Sequence, residues 1–192
     1  MVKKLLYNVG INDYVGKINV NGKILKFYKV WQSMLSRCYD FKYHSRYPAY
    51  IGCSVCKERH SLTAFKKWFD ENYIEGYELD KDILVEGNRI YSPETCCFVP
   101  KEINRLFENR SKRLYYDKQL PIGIQFDKYR GKYLAEITIN GKRKYVGRFN
   151  TINEAYECRE IEKRYLISKF IEEYYRSNKI TKKVYETIKN RI

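Results

Sequence analysis

The chain has 192 residues, and its 38 lysines and arginines outnumber its 23 aspartates and glutamates, for a formal net charge of +15. A hydrophobic content of 44% is enough for a folded core and excludes wholesale disorder, while no apolar run is long enough to cross a membrane. Twenty tyrosines accompany the positive charge. This composition indicates a polyanionic partner with stackable groups, such as a nucleic acid.

The first part of the chain reads as a hairpin followed by two helices. Residues 17–20 and 24–27 flank Asn21-Gly22, a dipeptide typical of type I′ turns. Apolar residues at helical spacing then predict two amphipathic helices, the second with Ser61 as N-cap. Their core-facing residues are Trp31, Met34, Leu35 and Cys38, then Leu62, Phe65, Trp68, Phe69 and Tyr73. Residues 39–60 between the helices are predicted to form a polar loop.

A second hairpin is predicted from residues 79–85 and 89–91, joined by a turn at 86–88. Pro93 and Pro100 both stand where the first turn of a short helix tolerates proline. The second of these helices carries Asn104.

Residues 110–120 are charged and polar, and we interpret them as a basic linker. After them, residues 122–126, 133–139 and 143–149 predict three strands, the last two joined at Asn140-Gly141. Thr151 and Glu154 form a capping box that begins a helix, and 171–192 read as a basic helical tail. The predicted buried stripe of the helix is Ala155, Cys158, Ile161 and Tyr165. The fold class is therefore α+β, with a three-stranded antiparallel sheet packed on one helix.

Alternation along the strands separates two faces of this sheet. The apolar face consists of Tyr133, Ala135, Ile137 and Ile139, and the opposite face includes Lys132, Glu136, Thr138, Arg143 and Tyr145. Residues 121–149 contain seven lysines and arginines and two acids. A cationic sheet face of this kind suits the major groove of double-stranded DNA, although the charges could instead simply solvate an open sheet.

Several motifs in this region resemble the ethylene-response-factor (apetala-two) DNA-binding domain. They are Gly123-Ile-Gln-Phe, Gly131-Lys-Tyr-Leu-Ala-Glu-Ile, Gly141-Lys-Arg-Lys-Tyr-Val-Gly-Arg-Phe149 and Thr151-Ile-Asn-Glu-Ala155. The resemblance implies DNA contacts from Gln125, Glu136, Thr138, Arg143 and Tyr145. Lys128, Arg130 and Lys132 add phosphate-binding candidates.

Residues 80–104 resemble the ββα-metal (HNH) finger of phage homing endonucleases. The resemblance implies that Asp80 and Asn104 hold one Mg²⁺-class ion for phosphodiester hydrolysis, with Glu94 opening the finger helix. The position of the family's catalytic histidine is occupied by Lys81, and Tyr91 replaces the middle asparagine. Lys81 or Asp82 is therefore the candidate base, with His44 or His60 as alternatives from the preceding loop. The structural alternative for residues 80–82 is a solvated charge cluster in a hairpin.

Cys53 and Cys56 have the spacing of half a structural zinc site, which Cys38, His60, Cys96 or Cys97 could complete. The alternative is that these are buried thiols, and Cys158 is predicted to pack in its helix. The first ten residues lack the apolar stretch of a secretion signal. We therefore expect a cytoplasmic protein, in the host cell if it is phage-encoded, that is not secreted.

Together these patterns predict residues 1–109 as an HNH-like region, 110–120 as a linker, and 121–192 as a DNA-binding domain with a helical tail. The function expected is that of a homing endonuclease that binds double-stranded DNA with sequence preference. A DNA-binding or regulatory protein with a degenerate nuclease finger is the main alternative, and an RNA-binding protein is a third. No protein partner is predicted.

Overall fold

The computed structural model describes residues 5–107, 120–139 and 141–192. The chain divides into two compact units, Met1–Val99 and Pro100–Ile192. The predicted linker at 110–120 lies outside the described residues except for Leu120, and so does Asn140 of the second Asn-Gly turn.

The first unit combines three main helices with three pairs of very short strands. The helices are α1 (Lys26–Tyr39), α2 (Phe41–Arg46) and α3 (Leu62–Asn72), with 3₁₀ turns at Pro48–Tyr50 and Lys57–His60. The strands are β1 (Asn19–Val20), β2 (Lys23–Ile24), β3 (Ser54–Val55), β4 (Glu78–Asp80), β5 (Ile90–Tyr91) and β6 (Cys97–Val99). The prediction of a loop over 39–60 was thus incomplete, because α2, β3 and two 3₁₀ turns lie within it.

The first predicted hairpin forms about its predicted turn, but with shorter strands than the predicted 17–20 and 24–27, because α1 already begins at Lys26. Strands β1 and β2 pair antiparallel, and Asn21 and Gly22 between them have φ values of 50° and 75°. Both values are positive, as a type I′ turn requires.

Helices α1 and α3 form the centre of the core, as their apolar spacing predicts. Trp31, Met34 and Leu35 of α1 and Phe65 of α3 are fully buried. Helix α3 begins at Ser61, whose hydroxyl accepts a hydrogen bond from the Ala64 N–H at 3.1 Å. The indole of Trp31 donates to the Arg59 carbonyl at 2.8 Å, which ties the 3₁₀ turn to α1.

The second predicted hairpin does not form. Strand β4 ends at Asp80 and pairs antiparallel with β6, while β5 pairs in parallel with β3. The physical reason is local, because Oδ1 of Asp80 accepts hydrogen bonds from the backbone N–H groups of Asp82 and Ile83 and ends the strand. The helix predicted at Pro93 is a turn that leads directly into β6, whereas the helix predicted after Pro100 is present.

The second unit has a three-stranded sheet packed on helix α5, and it confirms the predicted α+β class. It contains α4 (Lys101–Phe107), β7 (Ile124–Asp127), β8 (Lys132–Ile139), β9 (Lys142–Phe149), α5 (Ile152–Arg176) and α6 (Lys182–Arg191). The sheet order is β7-β8-β9, with antiparallel pairing throughout. The capping box of Thr151 and Glu154 begins α5 as predicted.

The face that α5 turns to the sheet differs from the predicted stripe. Ala155 is buried as expected, but Cys158, Ile161 and Tyr165 are exposed. The sheet-facing position after Ala155 is taken by Arg159, whose Nε donates to the Glu136 carbonyl at 3.1 Å. Farther along, Ile167 and Ile171 are buried. The predicted packing role of Cys158 is therefore wrong.

Gly123 makes room for Arg159. A Cβ atom at Gly123 would lie 2.4 Å from Nε of Arg159, and the glycine has a φ of +81°, where side chains are strained. The polar side chain of α5 therefore docks against backbone. A search for apolar spacing does not detect an arginine at a sheet-facing position, so the predicted stripe contains Cys158 where the structure has Arg159.

Candidate nucleic-acid interface

The register of the sheet defines the surface opposite α5, which we call the open face. Cross-strand partners place Leu134 between Gln125 and Arg148, Glu136 beside Tyr145, and Thr138 beside Arg143. Asp127 and Lys132 are partners at one end of the face. Ala135 and Ile124 point the other way, into the core that Ala155 of α5 completes. Every predicted DNA-contacting side chain of the strands therefore lies on the open face.

An irregularity in the register changes which residues reach this face. The pairing slips between Ala135 and Glu136, so that β9 contains one extra residue between Tyr145 and Gly147. Without the slip, Arg148 would lie on the helix side, since Arg143 and Tyr145 already occupy odd positions. The slip instead returns Arg148 to the open face, opposite Leu134.

Arg148 and Asp127 are thus site residues that the sequence reasoning missed. Strict alternation along β9 predicts Arg148 on the helix side of the sheet. The charge count over residues 121–149 includes Asp127 but gives it no role in the site. The signal available in the sequence was Gly147, because glycine inside a strand often marks a bulge.

Each acid of the open face holds arginines in place. Glu136 forms an ion pair with Arg143. Oδ2 of Asp127 lies 3.3 Å from Nε of Arg148 and 3.2 Å from an Nη atom of Arg130. Partial burial raises the pKa of Asp127, but the hydrogen bonds from Arg130 and Arg148 outweigh it and hold the pKa below its ordinary value.

Tyr145 forms the aromatic centre of the face. Its side chain is 52% exposed, and the guanidinium of Arg148 lies 5.5 Å from its ring centroid. An Nη atom of Arg148 also lies 3.4 Å from the tyrosine hydroxyl. Contacts of this kind fix an arginine and an aromatic ring side by side, where both remain accessible to a ligand.

The positive charge of the region is not confined to the open face, contrary to prediction. Lys142 and Lys144 alternate with Arg143 and lie on the side of α5, where Nζ of Lys144 is 2.5 Å from Oε1 of Glu162. Lys128 and Arg130 lie in the β7–β8 turn, where both are exposed. The open face with its turn therefore has five cations, namely Lys128, Arg130, Lys132, Arg143 and Arg148, against two acids.

The candidate catalytic residues lie in one loop of the first unit, residues 81–88. Lys81 is only 8% exposed, and its Nζ donates to Oδ1 of Asp82 at 2.6 Å and to the Asn88 carbonyl at 2.7 Å. Asp80 has its Oδ1 engaged by two backbone N–H groups. Burial raises the pKa of Asp80, and those two hydrogen bonds oppose the rise. These contacts shape the loop itself.

The two histidines have partners of their own. Nε2 of His44 lies 2.9 Å from the Arg37 carbonyl, and Nε2 of His60 lies 3.4 Å from the Tyr39 hydroxyl. Neither contact involves residues 80–82. Asn104, the second predicted Mg²⁺ ligand, belongs to α4 of the second unit, whereas Asp80 belongs to the first.

Within the described residues, no three His, Cys, Asp or Glu side chains are arranged to hold a metal ion. The donor chemistry agrees, because one oxygen of Asp80 already accepts two hydrogen bonds and Asp82 accepts from Lys81. The residues of this loop therefore do not form a ready set of ligands for Mg²⁺.

The thiols pack as apolar side chains. All six cysteines are described and free of disulfides, and Cys38, Cys53 and Cys96 are buried while Cys56 is partly exposed. Burial raises the pKa of Cys38 to about 12, and it also raises the pKa of Cys96. Cys38, Cys53 and Cys96 lie among the apolar side chains of the core, and these surroundings favour the packing role.

A buried arginine beside these thiols was not anticipated. Arg59 is 2% exposed, and its guanidinium lies 3.8 Å from the ring centroid of Trp68. Among the described residues, its three guanidinium nitrogens have no oxygen or nitrogen acceptor, and the Cys96 thiol is a polar neighbour. Burial lowers the pKa of Arg59, and the electrostatic interaction with Cys96 opposes this.

None of the described helices is both long and apolar enough to cross a membrane. Comparison with models of protein families, with curated proteins and with solved structures finds no match.

Proposed function

We propose that the chain binds double-stranded DNA through the open face of its carboxy-terminal sheet. The observation that carries the proposal is the grouping of Gln125, Thr138, Arg143, Tyr145 and Arg148 on the side of the sheet opposite α5. A strand ribbon of this kind fits the major groove, where side chains reach the edges of the bases. The excess of cations over acids on this face supplies attraction to the phosphates.

The side chains divide into two roles under this proposal. Lys128 and Arg130 of the turn and Lys132 at the strand end lie at one end of the sheet, where they would contact phosphates. Arg143, Gln125 and Thr138 lie along the strands and would contact base edges. Glu136 holds Arg143 in place in the free protein. On binding, it would itself accept a hydrogen bond from a cytosine amino group.

A DNA-binding function also favours a cytoplasmic location for the protein. A DNA ligand and six free cysteines both suit the reducing cytoplasm, in a host cell if the gene is phage-borne.

The experiment is a gel-shift titration at fixed salt with duplex DNA, single-stranded DNA and RNA. We expect the double variant Arg143→Ala/Tyr145→Ala to lose about tenfold or more in duplex affinity, because bidentate base contacts are worth about 1–3 kcal/mol. The control variant Lys182→Ala/Lys183→Ala removes two cations from α6, whereas the double variant removes one from the open face. The control should nevertheless lose less duplex affinity. Equal losses, or preference for single strands, would remove the open face from the proposal.

Hydrolysis of DNA is the second candidate function. The observation in its favour is that the Asp82 N–H donates to Oδ1 of Asp80 at 2.7 Å, which holds two acidic residues together at the end of β4. Asp80 would then bind a Mg²⁺-class ion, and Lys81 or Asp82 would take the place of the catalytic base. The engagement of Asp80 and Lys81 in shaping that loop favours binding without cleavage.

Supercoiled DNA incubated with Mg²⁺ or Mn²⁺ separates the two candidates. Nicking that an Asp80→Asn/Asn104→Ala variant loses would establish a nuclease. Intact DNA, together with duplex binding, would leave the open face as the functional part of the chain.

A further inference from the structure

A groove on the opposite side of the carboxy-terminal sheet has no role in DNA binding as proposed. It has a volume of about 460 Å³ and lies where the edge of β9 meets the second half of α5. Its apolar lining consists of Ile137, Ile139, Leu166 and Phe170. Its polar lining consists of Lys142, Lys144, Lys169, Lys179 and Glu173, with Tyr174 beside them.

We call the apolar lining of this groove its floor and the lining lysines its rim. Ile137 is 2% exposed, whereas Ile139, Leu166 and Phe170 are partly exposed and present carbon to a ligand. Four lysines and Glu173 line the groove, and the rim stays cationic even though Lys144 is paired with Glu162.

Aromatic rings hold parts of the groove in place. The rings of Phe170 and Tyr174 are 4.5 Å apart between centroids, and Nζ of Lys179 lies 5.2 Å from the Tyr174 ring centroid. Nζ of Lys169 lies 4.6 Å from the ring centroid of Tyr165. The ammonium groups of these two lysines thus lie over aromatic rings, which holds both cations beside the groove.

We propose that this groove binds an acidic peptide segment of another protein, anchored by large apolar side chains. The apolar floor would bury leucine or phenylalanine anchors, and the lysine rim would pair with aspartate or glutamate between them. Strand β9 is an edge strand of the sheet, and Lys142 and Lys144 at its start line the groove, so an extended segment can lie beside them.

Charge selects this occupant over the others available. The segments of the chain outside the described residues, 1–4 and 108–119, each have a side-chain charge of +2 and would be repelled by the rim. A second copy carries the same excess of +15. DNA would satisfy the lysines, but its phosphates and sugars would leave the isoleucine, leucine and phenylalanine floor unfilled.

The test measures fluorescence anisotropy of the full chain with three labelled peptides. The first alternates glutamates with leucine and phenylalanine, the second replaces its glutamates by lysines, and the third keeps the glutamates but replaces the apolar anchors by serine. We expect measurable binding of the first peptide alone. Binding of the third peptide as tightly as the first would show that charge is sufficient and would overturn the proposal.

Matched charge variants locate the binding site. Lys142→Gln/Lys169→Gln should weaken the first peptide about tenfold, since it removes two rim cations. Lys128→Gln/Lys132→Gln removes the same charge from the open-face side and should leave peptide affinity within about twofold.

Duplex DNA in the same assay separates this proposal from the DNA-binding function. The Lys128/Lys132 variant should weaken DNA more than the Lys142/Lys169 variant does, the reverse of the peptide result. If instead the Lys142/Lys169 pair governs DNA affinity and has no effect on the peptide, the groove is a nucleic-acid surface and the peptide proposal is wrong. Failure of DNA to bind at all would not alter the peptide comparison.

Discussion

Lys81 and Asn88 close a loop by reciprocal hydrogen bonds. Nζ of Lys81 donates to the Asn88 carbonyl at 2.7 Å, and Nδ2 of Asn88 donates to the Lys81 carbonyl at 2.9 Å. Each side chain thus donates to the backbone carbonyl of the other residue, seven positions away in the sequence. The residue that replaces a catalytic histidine in the HNH resemblance is used here to fix the path of the chain between β4 and β5.

This arrangement predicts that Lys81→Met destabilises the protein. The substitution keeps the buried stem but leaves the Asn88 carbonyl without its donor, which costs about 1–3 kcal/mol. Urea denaturation measures the change, and Lys67→Met on the exposed surface of α3 is the control, expected to stay within about 0.5 kcal/mol. Asn88→Ala should not add its full effect to Lys81→Met, because the two residues form one unit. Full additivity would contradict the reciprocal arrangement.

Asp80 predicts a pH dependence with a definite sign. Burial raises the pKa of Asp80 above its ordinary value of 3.8, despite the opposing hydrogen bonds. A carboxyl with a raised folded-state pKa favours folding fully below its unfolded pKa, and that contribution is lost as the pH rises through the folded pKa. Asp80→Asn keeps an acceptor oxygen and removes the charge. We therefore expect its stability relative to the wild type to be greater at pH 7 than at about pH 4.

Asp80→Ala is the companion variant. It removes the acceptor of the Asp82 and Ile83 N–H groups, so it should be less stable than the wild type by about 1–3 kcal/mol at both pH values. Equal behaviour of the two variants would show that the side-chain oxygen does not hold the loop.

The buried guanidinium of Arg59 predicts a stabilising substitution. The Arg59 guanidinium is removed from water and, within the described part of the chain, has no oxygen or nitrogen acceptor, which lowers the free energy of unfolding. Replacing buried charges by apolar side chains of similar volume often stabilises proteins by about 1–4 kcal/mol. Arg59→Met should keep contact with Trp68 and raise the urea midpoint. A large destabilisation would instead mean that the guanidinium contributes through its contacts with Trp68 and Cys96.

Substitution of Glu136 should change DNA affinity in the direction opposite to substitution of the cations beside it. Glu136→Gln removes a negative charge from the open face and frees Arg143 from its ion pair. Affinity for non-specific duplex should rise by a factor of about 2 to 5 at low salt, with less discrimination between sequences. Titration of several unrelated duplexes measures both changes, and a uniform loss of affinity would argue against the open face.

Phosphate contacts predict a change in salt dependence. Lys132→Gln should reduce the slope of log affinity against log salt by about 1, because one counterion fewer is released. Lys67→Gln, in the first unit, should leave the slope unchanged. A slope equal in both variants would mean that Lys132 does not contact phosphate.

Local chemistry explains which elements could be predicted from the sequence. The Asn21-Gly22 turn, the Ser61 cap and the Thr151–Glu154 box depend on a few neighbouring residues, and all three are present. The hairpin predicted over 79–91 failed because β5 takes a partner 36 positions earlier, a pairing that no local pattern encodes. The α5 stripe failed because Arg159, which donates to a backbone carbonyl, occupies the sheet-facing position after Ala155 that the prediction gave to Cys158.

The candidate site followed the same division. Gln125, Thr138, Arg143 and Tyr145 reach the open face because alternation holds up to the slip in β9. Arg148 joins them only through that slip. Lys81 and Asp80 were assigned from a motif resemblance, and their hydrogen bonds depend on the turn that ends β4.

The parallel pairing of β3 with β5 has a consequence for synthesis of the chain on the ribosome. Strand β3 finds its partner only at residues 90–91 and β4 only at 97–99, so the first pair cannot form until Tyr91 has left the exit tunnel and the second cannot be complete until Val99 has. Until then, the apolar faces of α1 and α3 lack the side chains of Tyr91 and Phe98 that complete their core. A nascent chain that stalls before this point would expose aromatic surface, which makes the first ninety-nine residues a single step in biogenesis.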